Sequence, residues 1–154
     1  DLARAIAERG GFFGVAAIGG FVRGEPGATL DDFVDHVEHL VDVMGIDHVG
    51  IGSDKCGPGP GTESNYEFPE DMGPFETSFL YSEDPEPQGA PDGFPWMGFR
   101  AEHRLSNDHR ILDFDQFTDW PNITIKLAER GFSEDELRKL LGQNYVRVFR
   151  DIVG

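Results

Sequence analysis

The stretch FFGVAAIGGFVRGEPGATLDDFVDHVEHLVDVMGIDHVGIGSD, residues 12–54, decides the fold. It holds two apolar runs of strand length, residues 12–17 and 48–52, and both runs are apolar on both faces. Between them, apolar side chains recur at helical spacing from Leu30 to Met44. Two such strands joined by an amphipathic helix predict an α/β fold with adjacent parallel strands and the helix packed on one face.

Local signals set the limits of this helix. Thr29 is followed three residues later by Asp32, a short-armed variant of the capping box. Gly45 predicts the end of the helix, and residues 19–28, rich in glycine, predict a loop.

The ends of the chain are also helical in pattern. Residues 1–9 read as the last turns of a helix that Gly10 ends, and residues 121–131 begin with Pro121 in the first turn of another. Ser133 and Glu136 form a second capping box, and Asn144 is predicted to cap the last helix. The last two helices are expected to pack on the sheet through an apolar stripe: Leu137, Leu140, Leu141, Tyr145, Val148, Phe149 and Ile152.

The middle of the chain has a different composition. Residues 56–99 hold eight of the ten prolines, nine acidic residues and no Lys or Arg, with eight aromatic residues at no regular spacing. So long an irregular segment inside a compact domain indicates either a function or disorder, and the aromatic residues argue against plain disorder because they provide side chains to bury. The sequence therefore predicts strand–helix–strand at residues 1–54, an excursion at 55–119 that covers a site as a lid, and helices at 120–154.

Composition limits the partners. The chain has 154 residues, with 13 Lys and Arg against 29 Asp and Glu and a net charge of −16. Such a surface repels nucleic acid and anionic lipid, although the charge is also what ordinary solubility requires. No apolar run approaches the roughly 20 residues of a transmembrane segment. The single Cys56 excludes an internal disulfide and weakly favours a reducing, cytoplasmic compartment.

Asp54 is the main candidate for chemistry. It follows the second apolar strand, and the chemistry of parallel α/β folds gathers at the carboxyl ends of strands. A carboxylate there can bind a metal or accept a proton, but it can equally cap a turn by accepting hydrogen bonds from nearby amides. Spacing alone leaves these alternatives open.

Two blocks, DFVDHVEHLVDVMGIDHVGIGSD (residues 32–54) and WPNITIKLAERGFSEDELRKLLGQNYVRVFRDI (residues 120–152), resemble the C-terminal part of the membrane dipeptidase (renal dipeptidase) family of metallopeptidases. The resemblance implies that the chain forms the last two βα units of a TIM-like (β/α)₈ barrel, with a long irregular insertion after the last strand. It also implies two zinc ions bridged by water or hydroxide, and small dipeptides as substrates. Asp54 matches the family's last metal-site Asp, which takes or relays the proton of the attacking water, and Phe21 stands where some relatives place a tyrosine near the substrate.

The chain departs from the family pattern after Asp54. It reads GSDKCG where relatives usually read GSDFDG, so Lys55 and Cys56 replace an apolar residue and a second Asp. The other metal ligands of the family lie on upstream strands that this sequence does not contain. His36, His39 and His48 are interpreted as structural, and His103, His109 and Cys56 are minor candidates as ligands because their spacing fits no zinc pattern.

Two classes of function follow. The chain is either the C-terminal portion of a zinc dipeptidase, inactive by itself, or a catalytically inactive paralogue that binds a ligand or partner through residues 55–119. The absent barrel strands would leave apolar surface uncovered, so a homodimer or aggregation is also expected.

Overall fold

The structure, a computed structural model, describes residues 2–53, 110–114 and 116–154. In order along the chain, its elements are α1 (Leu2–Glu8), β1 (Phe13–Ala16), α2 (Gly19–Val22), α3 (Leu30–Met44), a 3₁₀ turn (Ile46–His48), β2 (Val49–Gly52), a 3₁₀ turn (Phe117–Asp119), α4 (Trp120–Glu129), α5 (Glu134–Arg138), a π-helical segment (Lys139–Gln143) and α6 (Asn144–Val153).

The predicted strand pair is confirmed. β1 and β2 are parallel neighbours, with Phe13 opposite Val49 and Ala16 opposite Gly52. The strands are shorter than predicted, because Phe12 precedes β1 and His48 belongs to the 3₁₀ turn before β2. Phe13 and Gly14 are exposed, so the described residues do not cover the amino end of β1.

α3 has the limits that its sequence predicts. The Thr29 hydroxyl accepts from the Asp32 backbone N–H, while the Asp32 carboxylate accepts from the Thr29 backbone N–H at 2.8 Å, which completes the capping box. Gly45, at a φ of 85°, follows the last turn. The buried side of α3 then contributes to the core: Leu30, Phe33, Val34, Val37 and Met44.

Residues 110–114 also contribute to this core, although they lie in the predicted excursion. Ile111 and Phe114 are fully buried, and the Leu112 N–H donates to the Ala28 carbonyl just before α3. The ring of Phe114 meets Trp120 edge to face at 5.5 Å between centroids. The end of the excursion therefore closes the core between α3 and α4.

The prediction of a loop after β1 was wrong in part, because residues 19–22 form the short helix α2. The prediction for the C-terminal stripe was also wrong in part. Leu140 is buried, and Leu137 and Val148 are half-buried. The other members of the stripe are exposed: Leu141, Tyr145, Phe149 and Ile152. A kink at Gly142 separates α5 from α6, so apolar residues that look continuous in sequence do not form one buried face.

Candidate functional site at the carboxyl edge of the strands

The carboxyl ends of β1 and β2 lie side by side. Ala16 stands opposite Gly52, and the Ala17 N–H donates to the Gly52 carbonyl at 3.0 Å. The chain leaves β1 towards α2 and leaves β2 through the half-buried Ser53. Asp54, the next residue, lies outside the described residues. The structure thus brings α2, which carries Phe21, to the edge where β2 ends immediately before Asp54.

The short helix α2 begins with two small residues. Gly19 and Gly20 are buried, and the Phe21 and Val22 N–H groups both donate to the Ile18 carbonyl, at 3.0 and 3.2 Å. Phe21 itself is 37% exposed. Its side chain is therefore a partly exposed apolar group shortly after the end of β1.

Two side chains of α3 reach α2 and the residue after it. His36 Nε2 lies 2.9 Å from the Val22 carbonyl oxygen. The guanidinium of Arg23 lies 3.7 Å from the carboxylate of Asp32. Asp32 and His36 are four residues apart and therefore lie on the same side of α3.

The carboxylate of Asp32 contacts both Thr29 and Arg23 near α2. Partial burial raises its pKa, but hydrogen bonds from the Thr29 backbone and hydroxyl, together with the charge of Arg23, outweigh this and hold the pKa below its ordinary value. Asp32 is therefore ionised at neutral pH, and its carboxylate both caps α3 through Thr29 and pairs with Arg23.

The acidic residues of α3 face α4 as well as solvent. Arg130 contacts the carboxylates of Asp35 and Glu38 at 2.6 Å each, and of Asp31 at 3.4 Å. These hydrogen bonds raise the pKa of the Arg130 guanidinium above its already high value. The cluster connects the end of α4 to α3 and is structural, which agrees with the interpretation of this side of α3 as a polar face.

The histidines that the structure describes occupy structural positions. His48 Nδ1 lies 2.8 Å from the Gly11 carbonyl, at the amino ends of the strands and away from the candidate site. His39 is exposed on α3. His103, His109 and Cys56 lie outside the described residues.

Across residues 2–53, 110–114 and 116–154, no group of three His, Cys, Asp or Glu side chains is arranged to hold a metal. No described helix has the length and hydropathy of a transmembrane span.

Asn144 is an important residue whose role the sequence did not predict. It was expected to cap the last helix, but it has helical backbone angles, lies inside the helical run and is 3% exposed. Its side-chain amide donates to the Ile46 carbonyl at 2.7 Å and to the Val49 carbonyl at 2.8 Å. The only signal in the sequence was a polar residue among apolar positions, and this pattern does not predict which backbone groups the side chain binds.

Gly50 in β2 also has a specific role. A Cβ atom at this position would lie 2.5 Å from the ring of Phe12 and 3.2 Å from the Leu140 carbonyl oxygen. The Phe12 ring in turn meets Tyr145 of α6 edge to face, at 6.1 Å between centroids. The missing side chain thus lets Phe12 and the π-helical segment pack directly on the strand.

Comparison with known proteins is consistent with this arrangement. Residues 1–67 match the family model of membrane dipeptidases, peptidase family M19. The chain is 22% identical over 125 residues to dipeptidase tcpJ of Claviceps purpurea, which covers 81% of this chain and 18% of that protein. The resemblance to the membrane dipeptidase family, inferred above from the two sequence blocks, is therefore confirmed.

Solved structures share the fold. An amidohydrolase from Pseudomonas aeruginosa aligns with a TM-score of 0.65 and 25% identity, over 98% of this chain and 39% of that one. A metallopeptidase from Rhodobacter sphaeroides, solved with a phosphinate mimic of the dipeptide L-Ala-D-Ala, aligns with a TM-score of 0.58 and 17% identity, over 96% of this chain and 29% of that one. The chain thus spans well under half the length of the proteins that it resembles.

Proposed function

We propose that this chain forms the last two βα units of a (β/α)₈ barrel that hydrolyses dipeptides with the help of bound metal. The observation that carries the proposal is the parallel β1–β2 pair joined by α3, within the residues that match the membrane dipeptidase model. In this arrangement β1 and β2 are the seventh and eighth strands. Residues 55–119 are an insertion after the last strand, and the helices of residues 120–154 close the barrel from outside.

Asp54 is the catalytic residue of the proposal. It follows directly from a strand whose end is fixed by the Ala17–Gly52 hydrogen bond, and a rigid support of this kind is what a proton acceptor requires. An ionised Asp accepts the proton of the attacking water, and the same carboxylate is also proposed as a metal ligand.

The described residues do not by themselves fit a metal, because they contain no cluster of three ligands. A zinc site needs three or four, so the remaining ligands of the proposal come from barrel strands outside this sequence. When bound, the metal supplies polarisation of the scissile carbonyl and a lower pKa for water. The proposed contribution of this chain is the proton acceptor, one ligand and the apolar contact at Phe21.

Phe21 is proposed to contact a side chain of the dipeptide. Its ring is partly exposed on α2, at the edge where β2 ends before Asp54. Where some relatives carry a tyrosine, Phe21 provides the same apolar ring without a hydroxyl. Phe21 therefore contributes to dipeptide binding through apolar contact, and its side chain donates no hydrogen bond.

The test is hydrolysis of a panel of dipeptides, including ones with a D-residue at the C-terminal side, by the full-length gene product. The expected result is hydrolysis that a chelator abolishes and added zinc restores, with a mock-dialysed sample as the control. If the zinc-loaded protein cleaves no dipeptide, the alternative is favoured: an inactive paralogue that binds a partner.

A further inference from the structure

We infer that His36 is a positioning residue for the candidate site: its hydrogen bond to the Val22 carbonyl holds α2, and with it Phe21, at the carboxyl edge of the strands. The inference rests on the proposed function for the role of Phe21, but the placement of α2 by His36 stands on contacts alone. His36 Nε2 lies 2.9 Å from the Val22 oxygen.

α2 needs a tether because it is only four residues long. A helix of this length has no stability of its own in water, since nucleation is costly and few hydrogen bonds repay it. Its last carbonyls also have no partner within the helix. The imidazole of His36 satisfies one of these carbonyls, that of Val22, from the neighbouring helix.

The direction of the hydrogen bond follows from its acceptor. A carbonyl oxygen only accepts, so His36 Nε2 carries the hydrogen, in the neutral tautomer protonated at this nitrogen or in the imidazolium form. Since both forms donate, the contact needs no particular charge state. A side-chain amide that reaches the Val22 carbonyl oxygen can donate the same hydrogen bond in place of the imidazole.

The position of His36 on α3 makes the tether rigid. The neighbouring turn of α3 contains Val34 and Val37, both fully buried. One turn earlier Asp32 is fixed by the capping box and lies 3.7 Å from Arg23, directly after α2. α2 is thus held at its carboxyl end by two contacts from a helix whose own place is set by the core.

Phe21 lies in the half of α2 that His36 contacts, next to Val22. It is 37% exposed, whereas Gly19 and Gly20 are buried at the start of α2. The first two residues of α2 are therefore buried, and its carboxyl end is held by the contacts at Val22 and Arg23. Loss of the His36 bond should release the half of α2 that presents Phe21.

The experiment measures hydrogen–deuterium exchange with residue-level resolution in the full-length gene product, comparing wild type with His36→Ala, His36→Gln and His39→Ala. The reporters are the Phe21, Val22 and Arg23 amides, which donate within α2. Because the contact between His36 and Val22 is exposed and water can replace it, His36→Ala is expected to speed their exchange about two- to fivefold, without changing amides in the middle of α3. His36→Gln restores slow exchange through its amide donor, and His39→Ala, on the same helix and exposed, has no effect.

Unchanged α2 exchange in His36→Ala overturns the inference, and so does an equal increase throughout the chain, which would indicate a general loss of stability. Dipeptide kinetics form the second readout. The inference predicts a KM several-fold higher in His36→Ala, a kcat within about twofold of wild type, and recovery in His36→Gln. If wild type hydrolyses no dipeptide, the proposed function fails, while the exchange result still decides whether His36 holds α2.

Discussion

Replacement of Asn144 by Ala should destabilise the fold more than any other removal of a single polar side chain among the described residues. The Asn144 amide donates to the carbonyls of Ile46 and Val49, at 2.7 and 2.8 Å, in a buried environment. Each hydrogen bond contributes about 1 kcal/mol net, and a buried carbonyl left without its partner costs about 1–3 kcal/mol. Because some relaxation is expected, the free energy of unfolding should fall by about 2–4 kcal/mol.

Asn122 offers a matched control. Its side-chain amide also donates to a backbone carbonyl, that of Asp113 at 3.0 Å, but the contact is exposed. Asn122→Ala should therefore cost only about 0.5–1 kcal/mol, since water replaces the lost bond. Asn144→Asp keeps the shape of the side chain but removes both donors, so it should be at least as harmful as Asn144→Ala.

The assay is urea-induced unfolding of the full-length gene product, as wild type and as these three variants, followed by far-UV circular dichroism at one fixed protein concentration. Both Asn144 variants should lose clearly more stability than Asn122→Ala. This expectation is refuted if Asn144→Ala and Asn122→Ala are equally stable, because burial of the two carbonyls would then have no energetic consequence.

Three further predictions concern packing, pH and association. Gly50→Ala should lower the free energy of unfolding in urea by about 1–3 kcal/mol, because its Cβ clashes with Phe12. Gly14→Ala should lower it clearly less, because its Cβ meets only ordinary contacts at 3.6 Å or more. Equal losses would contradict the importance of packing at Gly50. Because the folded-state pKa of Asp32 is lowered, its contribution to stability is fully present above its unfolded pKa of about 3.9 and is lost as the pH falls through the folded value. The melting temperature of wild type should therefore exceed that of Asp32→Asn by less below about pH 4. A difference that stays unchanged down to pH 2 would refute this. The exposed apolar residues of α6 should make the isolated chain dimeric or aggregation-prone, as measured by light scattering. A monomer with a sharp cooperative melt would contradict the expectation that other barrel strands cover these residues.

Local signals predicted the elements that depend on local physics. The limits of α3 follow from one capping box, one glycine and a helical period, all of which act within a few residues. The parallel pairing of β1 and β2 followed from two apolar runs and the helix between them. These features require no knowledge of distant parts of the chain.

The features that sequence reasoning missed depend on contacts between distant residues. α2 contains two glycines and is too short to show a period, so only its buried position and the His36 contact explain it. Ile111 and Phe114 lie in a segment without periodicity, yet they complete the core beside α3. Asn144 lies 95 residues from Val49 in sequence, and no local pattern indicates such a pair.

Of the proposed site, the sequence indicated which strand ends meet but not how α2 is held there. The role of Phe21 near a substrate came from the resemblance alone and stays a prediction, while His36 was interpreted as part of an ordinary polar face of α3. The role of Asp54 remains a prediction of the sequence and of the resemblance, since Asp54 lies outside the described residues. Its proposed role as a proton acceptor depends on the end of β2 at Gly52, which the structure describes.

The most direct test of the account is therefore the turnover of a dipeptide by the full-length gene product and its Asp54→Asn variant, with the zinc content of both measured. Asn keeps the shape of the side chain but removes its charge and basicity, so turnover should fall at least about a hundredfold, the usual contribution of a general base. The fold should be retained, as judged by circular dichroism, because residues at the carboxyl ends of barrel strands serve the reaction more than stability. If the variant turns over the dipeptide at the wild-type rate, Asp54 only caps a turn and the proposed mechanism is wrong.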